Sequence, residues 1–331
     1  MGGTAGPGLA LTAAEAIAMI EAAGGPADLF GHDGLRCYRR LARLTHPDAR
    51  PGDARAAAAF ATLAALWRRH AAEAAPAALV ARGDLANLYL ARDGLRKIAR
   101  DPADNDLMDR ECRALGLLGR QAGRPQRAYF PRLVQAQRIT DPATGARRRC
   151  NVIGPLEGFV SLADVRAAFP AGVDPRDAAW MWRRLLVAIG AAHRAGLVHG
   201  AVLPEHVMIH PAEHGVVLVD WCYSGQPGAP LPAIVSRYLA WYPPEIPARE
   251  PAGPDTDIWL ASACMTELAA GLMPARLAAF AKGCMLASPR RRPADAWQLL
   301  AELDELLGRL YGPRRFRPFA MPARGAREGE P

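Results

Sequence analysis

The sequence predicts two differently built parts. Residues 11–76 read as an all-α helical domain, and residues 77–312 as a larger α+β domain with a strand-rich first lobe and a helical second lobe. Three observations carry this. Apolar residues recur at helical spacing up to about Ala75. From about Ala81 the pattern shortens to strand-like runs, and from Asp177 to Arg194 and on to about Tyr311 it is helical again. Half of the 331 residues are hydrophobic, enough for a substantial core.

Residues 1–10 are Gly-rich and expected to be disordered. A first helix follows, because Thr12 with Glu15 makes a capping box and Leu11, Ile17 and Ile20 form an apolar stripe. Gly24-Gly25-Pro26 ends it. After a loop to Gly34 comes a helix over 35–46, in which Tyr38, Leu41 and Ala42 share a face with Leu35. Arg36, Arg39, Arg40 and Arg43 cover the other face. Pro47 forces His46 out of the helical region and stops the helix. Asp53 is placed to cap a third helix, which carries Phe60, Leu63 and Leu66.

Pro76 and the Ala-rich run after it read as a short linker. Strand-like segments follow at 88–90, 95–98, 133–134 and 151–153, with Arg147-Arg148-Arg149 read as a solvated hairpin between strands. A hairpin pairs His206–Ile209 with Val216–Val219. Residues 313–331 read as a basic, disordered tail.

Composition narrows the function classes. The net charge of +8 is spread over scattered arginines, and only two lysines occur, Lys97 and Lys282. No zinc-finger or RNP-like aromatic pattern accompanies them, which argues against nucleic acid as a partner. The six cysteines form no C-x-x-C pair and read as free thiols of a reducing cytoplasm. The N-terminus lacks a signal-peptide pattern, and no run approaches the roughly 20 apolar residues needed to span a bilayer, so no membrane association is expected.

The basic helix, the His46-Pro47-Asp48 loop and the returning amphipathic helix resemble the J-domain of DnaJ-type co-chaperones. That resemblance implies a docking key for the ATPase domain of a DnaK-type chaperone. Asp48 would meet a cationic site, and Arg36, Arg39, Arg40 and Arg43 an acidic groove. Such charges fix orientation and on-rate more than affinity.

Residues from about 80 to 311 resemble the protein kinase family. Asp255-Thr256-Asp257-Ile258-Trp259 looks like the start of the central helix of the helical lobe, whose aspartate, here Asp257, holds the catalytic loop. Tyr242-Pro243-Pro244-Glu245 looks like the end of an activation segment, and Arg292 is placed to pair with Glu245. The pattern H-R-D-x-K-P-x-N falls on residues 199–206, where His199 remains as a packed histidine. The base position is Ala201, the lysine position Leu203 and the metal-binding asparagine His206, so no catalytic residue is assigned. Of the Gly-rich loop only Gly83 persists. Lys97, its helix partner Glu111 and the metal-position Asp220 persist as well. They read either as a structural ion pair bracing the strand lobe or as the remnant of an ATP site with Mg²⁺ on Asp220.

The resulting expectation is a J-domain that recruits and stimulates a DnaK-type chaperone, fused to a pseudokinase that binds a client protein or senses nucleotide. Two alternatives stand beside it. One is an atypical active Ser/Thr kinase using Asp220 and Lys97 with a displaced base. The other is a scaffold that engages no chaperone.

Overall fold

In the computed structural model, which describes residues 11–30, 34–73, 78–91, 94–141 and 144–322, the chain divides into two units, residues 1–78 and 79–331. The expected disorder of residues 1–10 lies outside the described residues.

The first unit holds helices α1 (Ala13–Ala22), α2 (Pro26–Phe30), α3 (Gly34–Thr45) and α4 (Ala54–Glu73). The capping box forms: the Glu15 amide donates to Thr12 Oγ1 (3.3 Å), and the Thr12 amide donates to Glu15 Oε2 (2.8 Å). Asp53 caps α4 by accepting from the Ala56 amide at 2.9 Å. Short helix α2 occupies what reads in sequence as loop. It exists because Leu29 and Phe30 are buried in the core and Asp28 accepts from the Gly24 and Gly25 amides. Ile20, Phe30, Leu41 and Leu63 are at most 1% exposed. Each such side chain stabilises the unit by roughly 1.5–3 kcal/mol. Trp67 stacks on Tyr38 (4.6 Å, 20°) and meets Phe30 edge-on (5.3 Å, 80°). Tyr38 early in α3 faces Trp67 late in α4, while His46 after α3 faces Phe60 early in α4, so the two helices run antiparallel.

The second unit begins with a sheet of order β1-β2-β3-β5-β4, made of Ala78–Arg82, Ala86–Ala91, Gly94–Ala99, Arg147–Ile153 and Leu133–Thr140 respectively. Helix α5 (Asn105–Gln121) packs on it with Leu107, Met108, Glu111, Ala114, Leu115 and Leu118 buried. A small sheet of β6 (Val160–Ser161), β7 (Val207–His210) and β8 (Gly215–Leu218) follows. The rest is helical: α6 (Leu162–Ala168), α7 (Pro175–Arg194), α8 (Pro254–Ala269), α9 (Ala275–Cys284) and α10 (Ala296–Tyr311). Helix α7 is buried on most sides, including Trp182, Leu185 and Ile189, and anchors the helical lobe. The expected two-lobed α+β architecture is therefore present.

Three local expectations differ. The Ala-rich stretch read as linker supplies strand β1 from Ala78. Arg147–Arg149 is not a hairpin loop but part of β5: Arg148 binds Asp141 (3.0 Å) and the Arg100 carbonyl, and Arg149 binds Asp109 (3.0 Å). Long arginine stems lie along a sheet surface and keep their charged ends paired at its edge. The tail is not disordered over 313–322. Arg317 reaches Asp174 (3.3 Å) and Asp177 (3.2 Å), and Phe319 is buried against Phe169 and Trp180. Residues 323–331 lie outside the described residues. Among the described residues no helix is long and apolar enough to cross a membrane, and all six cysteines are free.

Candidate functional site

Two sites emerge, one in each unit. In the first, Pro47 holds His46 at φ −60° and ψ 136°, which ends α3 and starts a single 3-10 turn over Pro47–Ala49. His46 Nδ1 accepts from the Asp48 amide (3.2 Å), which leaves the ring proton on Nε2. The ring rests edge-on against Phe60 at 4.8 Å and 74°. Pro47 and Asp48 are exposed at the tip, as are Arg36, Arg39, Arg40 and Arg43 along α3. The result is a rigid polar tip beside a basic helical face.

In the second unit, β3 pairs with β5 in a register that sets Lys97 opposite Asn151. Directly paired residues share a face of the sheet, and both side chains turn to α5. There Glu111 sits inside an otherwise apolar stripe, where a carboxylate must be partnered. Its Oε1 accepts from Lys97 Nζ (2.9 Å) and its Oε2 from Asn151 Nδ2 (2.9 Å). Lys97 also donates to Asp220 Oδ1 (2.6 Å) and to Cys222 Sγ (3.3 Å). An ammonium has three N–H donors, and here each has an acceptor. Burial works to lower the Lys97 pKa, but the charges around it, Asp220 foremost, outweigh burial and hold it well above the usual lysine value. Burial likewise works to raise Asp220, yet Lys97 and then His206 hold its carboxyl far below the usual range. Burial pushes the Cys222 thiol well up, so it stays protonated.

Glu111, Asp220 and Cys222 place their ligand atoms within 4.8 Å of one another, the spacing of a cation site. The cation already among them is the Lys97 ammonium. Mg²⁺ takes oxygen ligands in an octahedron, and the set contains a neutral thiol and a carboxylate engaged on both sides, since Asp220 Oδ2 faces His206 Nε2 at 3.4 Å. The other ring nitrogen, His206 Nδ1, is held by the Ala201 carbonyl (2.8 Å). These residues do not fit Mg²⁺.

The loop at 199–206 is built around Asp257, which accepts from the backbone amides of His199 and Gly200 (both 2.8 Å) and lies 3.0 Å from His193 Nε2. Gly200 has φ 74°, and a Cβ there would stand 2.6 Å from Leu231, so only glycine fits. His199 is fully buried; Nε2–H donates to the Val219 carbonyl (2.9 Å) and Nδ1 accepts from the Ala201 amide (3.2 Å). Burial lowers its pKa to about 4, so it is a neutral packed ring. Ala201 is itself fully buried. Glu205, four residues on, has its carboxylate taken by Arg237 and by the Tyr238 hydroxyl (3.3 Å). Arg237 also holds Asp84 (2.6 Å), which follows Gly83 in the β1–β2 turn. One guanidinium thus ties the strand lobe to the loop that precedes His206.

Arg292 forms a bidentate pair with Glu245 (2.6 and 2.8 Å), binds Asp255 (3.0 Å), and lies over the Trp259 ring at 4.8 Å. The sequence-predicted residues Lys97, Glu111 and Asp220 thus converge, as do Asp257 with His199 and Arg292 with Glu245. Gly83 lies in the β1–β2 turn, which its amide closes on the Ala86 carbonyl (2.9 Å). Asn151, His193 and Arg237 go unread in sequence. A buried amide within a strand is a weak signal for Asn151. For Arg237 there is none, because its partners lie 153 and 32 residues away.

No protein-family profile matches the chain, and no curated protein matches it. Among solved structures, the kinase domain of PknI from Mycobacterium tuberculosis superposes with a TM-score of 0.51 at 16% identity, covering 69% of this chain and 93% of that one. That likeness shows a kinase-like fold.

Proposed function

We propose that this chain recruits rather than phosphorylates. Its first unit acts as a J-domain-like key that engages and stimulates a DnaK-type chaperone. Its kinase-like second unit serves as a catalytically impaired, protein-binding platform that selects the client. The observation that carries the recruiting role is the His46-Pro47-Asp48 tip, rigidly held against Phe60, with its carboxylate exposed beside a face of four arginines. Rigid charges of this kind orient a partner on encounter. The impaired role is supported by the buried alanine at position 201 and by a lysine whose donors are all engaged.

The test is ATP hydrolysis by a DnaK-type chaperone with full-length protein, wild type against His46→Gln. The reading expects stimulation by the wild type and its loss in the variant. Equal rates would remove the chaperone half. Against the rival of an active kinase with a displaced base stands the pairing of both Asp220 and Glu205.

A further inference from the structure

Away from both sites, the second unit contains a cavity of about 910 Å³ between α7, α10 and the chain that follows α10. Five arginines line it, Arg176, Arg183, Arg314, Arg315 and Arg317, against one carboxylate, Asp304. Three are already neutralised. Arg183 binds Asp304, Arg176 binds Asp174 (2.7 Å), and Arg317 binds Asp174 and Asp177. Arg314 and Arg315 are exposed and pair with no carboxylate among the described residues.

The cavity also has an aromatic wall. His214 stacks on Trp180 (4.0 Å, 6°), and Phe316 leans on His214 (4.4 Å, 33°) while remaining 65% exposed. His214 holds this position from a left-handed backbone, φ 55°, uncommon outside glycine. Trp180 and His214 are each 8% exposed, and Trp180 Nε1 and His214 Nε2 are buried with no hydrogen-bond partner among the described residues. A buried polar atom left unpaired is destabilising. Two such atoms in one wall are what a polar ligand would satisfy.

We propose that this cavity binds a small organic anion of nucleotide type, an aromatic ring system bearing two or more phosphate groups. Two arginines, consecutive in sequence and both lining the cavity without a carboxylate partner, suit a diphosphate, because each can offer paired N–H donors to phosphate oxygens. The ring wall suits a flat apolar body, and the volume lies in the range of small-molecule sites, roughly 300–1,000 Å³.

Calorimetric titration of the full chain with ADP in EDTA tests this, with pyrophosphate and adenosine as separate titrants. ADP is expected to bind at one site and to weaken as salt is raised. An Arg314→Ala/Arg315→Ala variant is expected to bind about tenfold or more weakly, because each guanidinium offers charge-assisted hydrogen bonds to the phosphates. Both side chains are exposed, so the variant keeps its fold. Trp180→Phe, which trades the indole and its N–H for a smaller phenyl ring, is expected to weaken ADP a few-fold. Three results would overturn the proposal: no saturable ADP binding up to about 1 mM, equal affinity in the double-arginine variant, or adenosine binding as tightly as ADP. Pyrophosphate matching ADP would strike out the aromatic half.

Discussion

Lys97 lies closer to Asp220 (2.6 Å) than to Glu111 (2.9 Å), although the Glu111 pairing is the one the kinase resemblance implies. A lysine poised for a phosphate needs a free N–H, and an aspartate poised for a metal needs a free oxygen. Here each has consumed the other. The cluster is a brace between β3, α5 and the segment after β8.

That brace predicts the response to nucleotide. Mg-ATP would have to break the Lys97–Asp220 pair and displace His206. Adding Mg²⁺ to saturating ATP is expected to bring no rise in the melting temperature of the full chain beyond that seen with ATP in EDTA. Lys97→Met, which strands two carboxylates, is expected to cost about 3–5 kcal/mol in denaturant unfolding. A clear Mg-dependent stabilisation would show the pair to be labile.

His199 predicts a pH dependence. Its pKa falls from an ordinary 6.5 to about 4 in the folded chain because the ring is buried. Between those values the unfolded chain binds the extra proton and the folded chain does not. Stability therefore drops as pH falls from 6.5 to 4 and is unaffected by this group above 6.5. The full loss is roughly 3 kcal/mol. His199→Phe is less stable at neutral pH, having orphaned the Ala201 amide, but its stability should fall less steeply over that interval. Parallel slopes in urea titrations would refute the assignment.

Arg292 is fully buried and serves Glu245, Asp255, two carbonyls and the Trp259 face at once. Arg292→Met should destabilise by about 3–5 kcal/mol, because Glu245 is left buried and unpaired. Arg292→Lys keeps the charge but loses the fork, so its unfolding free energy should lie between the two.

In the first unit Leu63, on α4, is fully buried in the core shared by α1, α2, α3 and α4. Leu63→Ala is expected to cost about 2–5 kcal/mol. Hydrogen exchange of the α3 and α4 amides in the full chain should accelerate correspondingly. Unchanged protection would mean that the helical packing does not depend on this position.

Much of the fold was legible because local rules dominate it. Thr12 with Glu15 and Asp53 mark helix ends through hydrogen bonds spanning three residues, Pro47 marks one by excluding the helical conformation at His46, and those ends stand where the residues place them. Helix α2 and strand β1 escaped, since a five-residue helix and an Ala-rich edge strand carry too little periodicity to be seen. Arg147–Arg149 misled because charge suggests a loop, whereas alternation lets arginines lie along a sheet.

The sequence by itself determined which groups exist: Ala201 where an acid would be, His206 where an amide would be, and the pairs Lys97–Glu111 and Arg292–Glu245 in order along the chain. Only the tertiary structure decided what those groups do to one another. That the last free donor of Lys97 goes to Asp220, that Arg237 ties Asp84 to Glu205, and that Phe316 joins Trp180 and His214 around a cavity depend on contacts separated by as many as 153 residues. Such contacts follow from the packing of whole elements, and no local pattern in the chain encodes them.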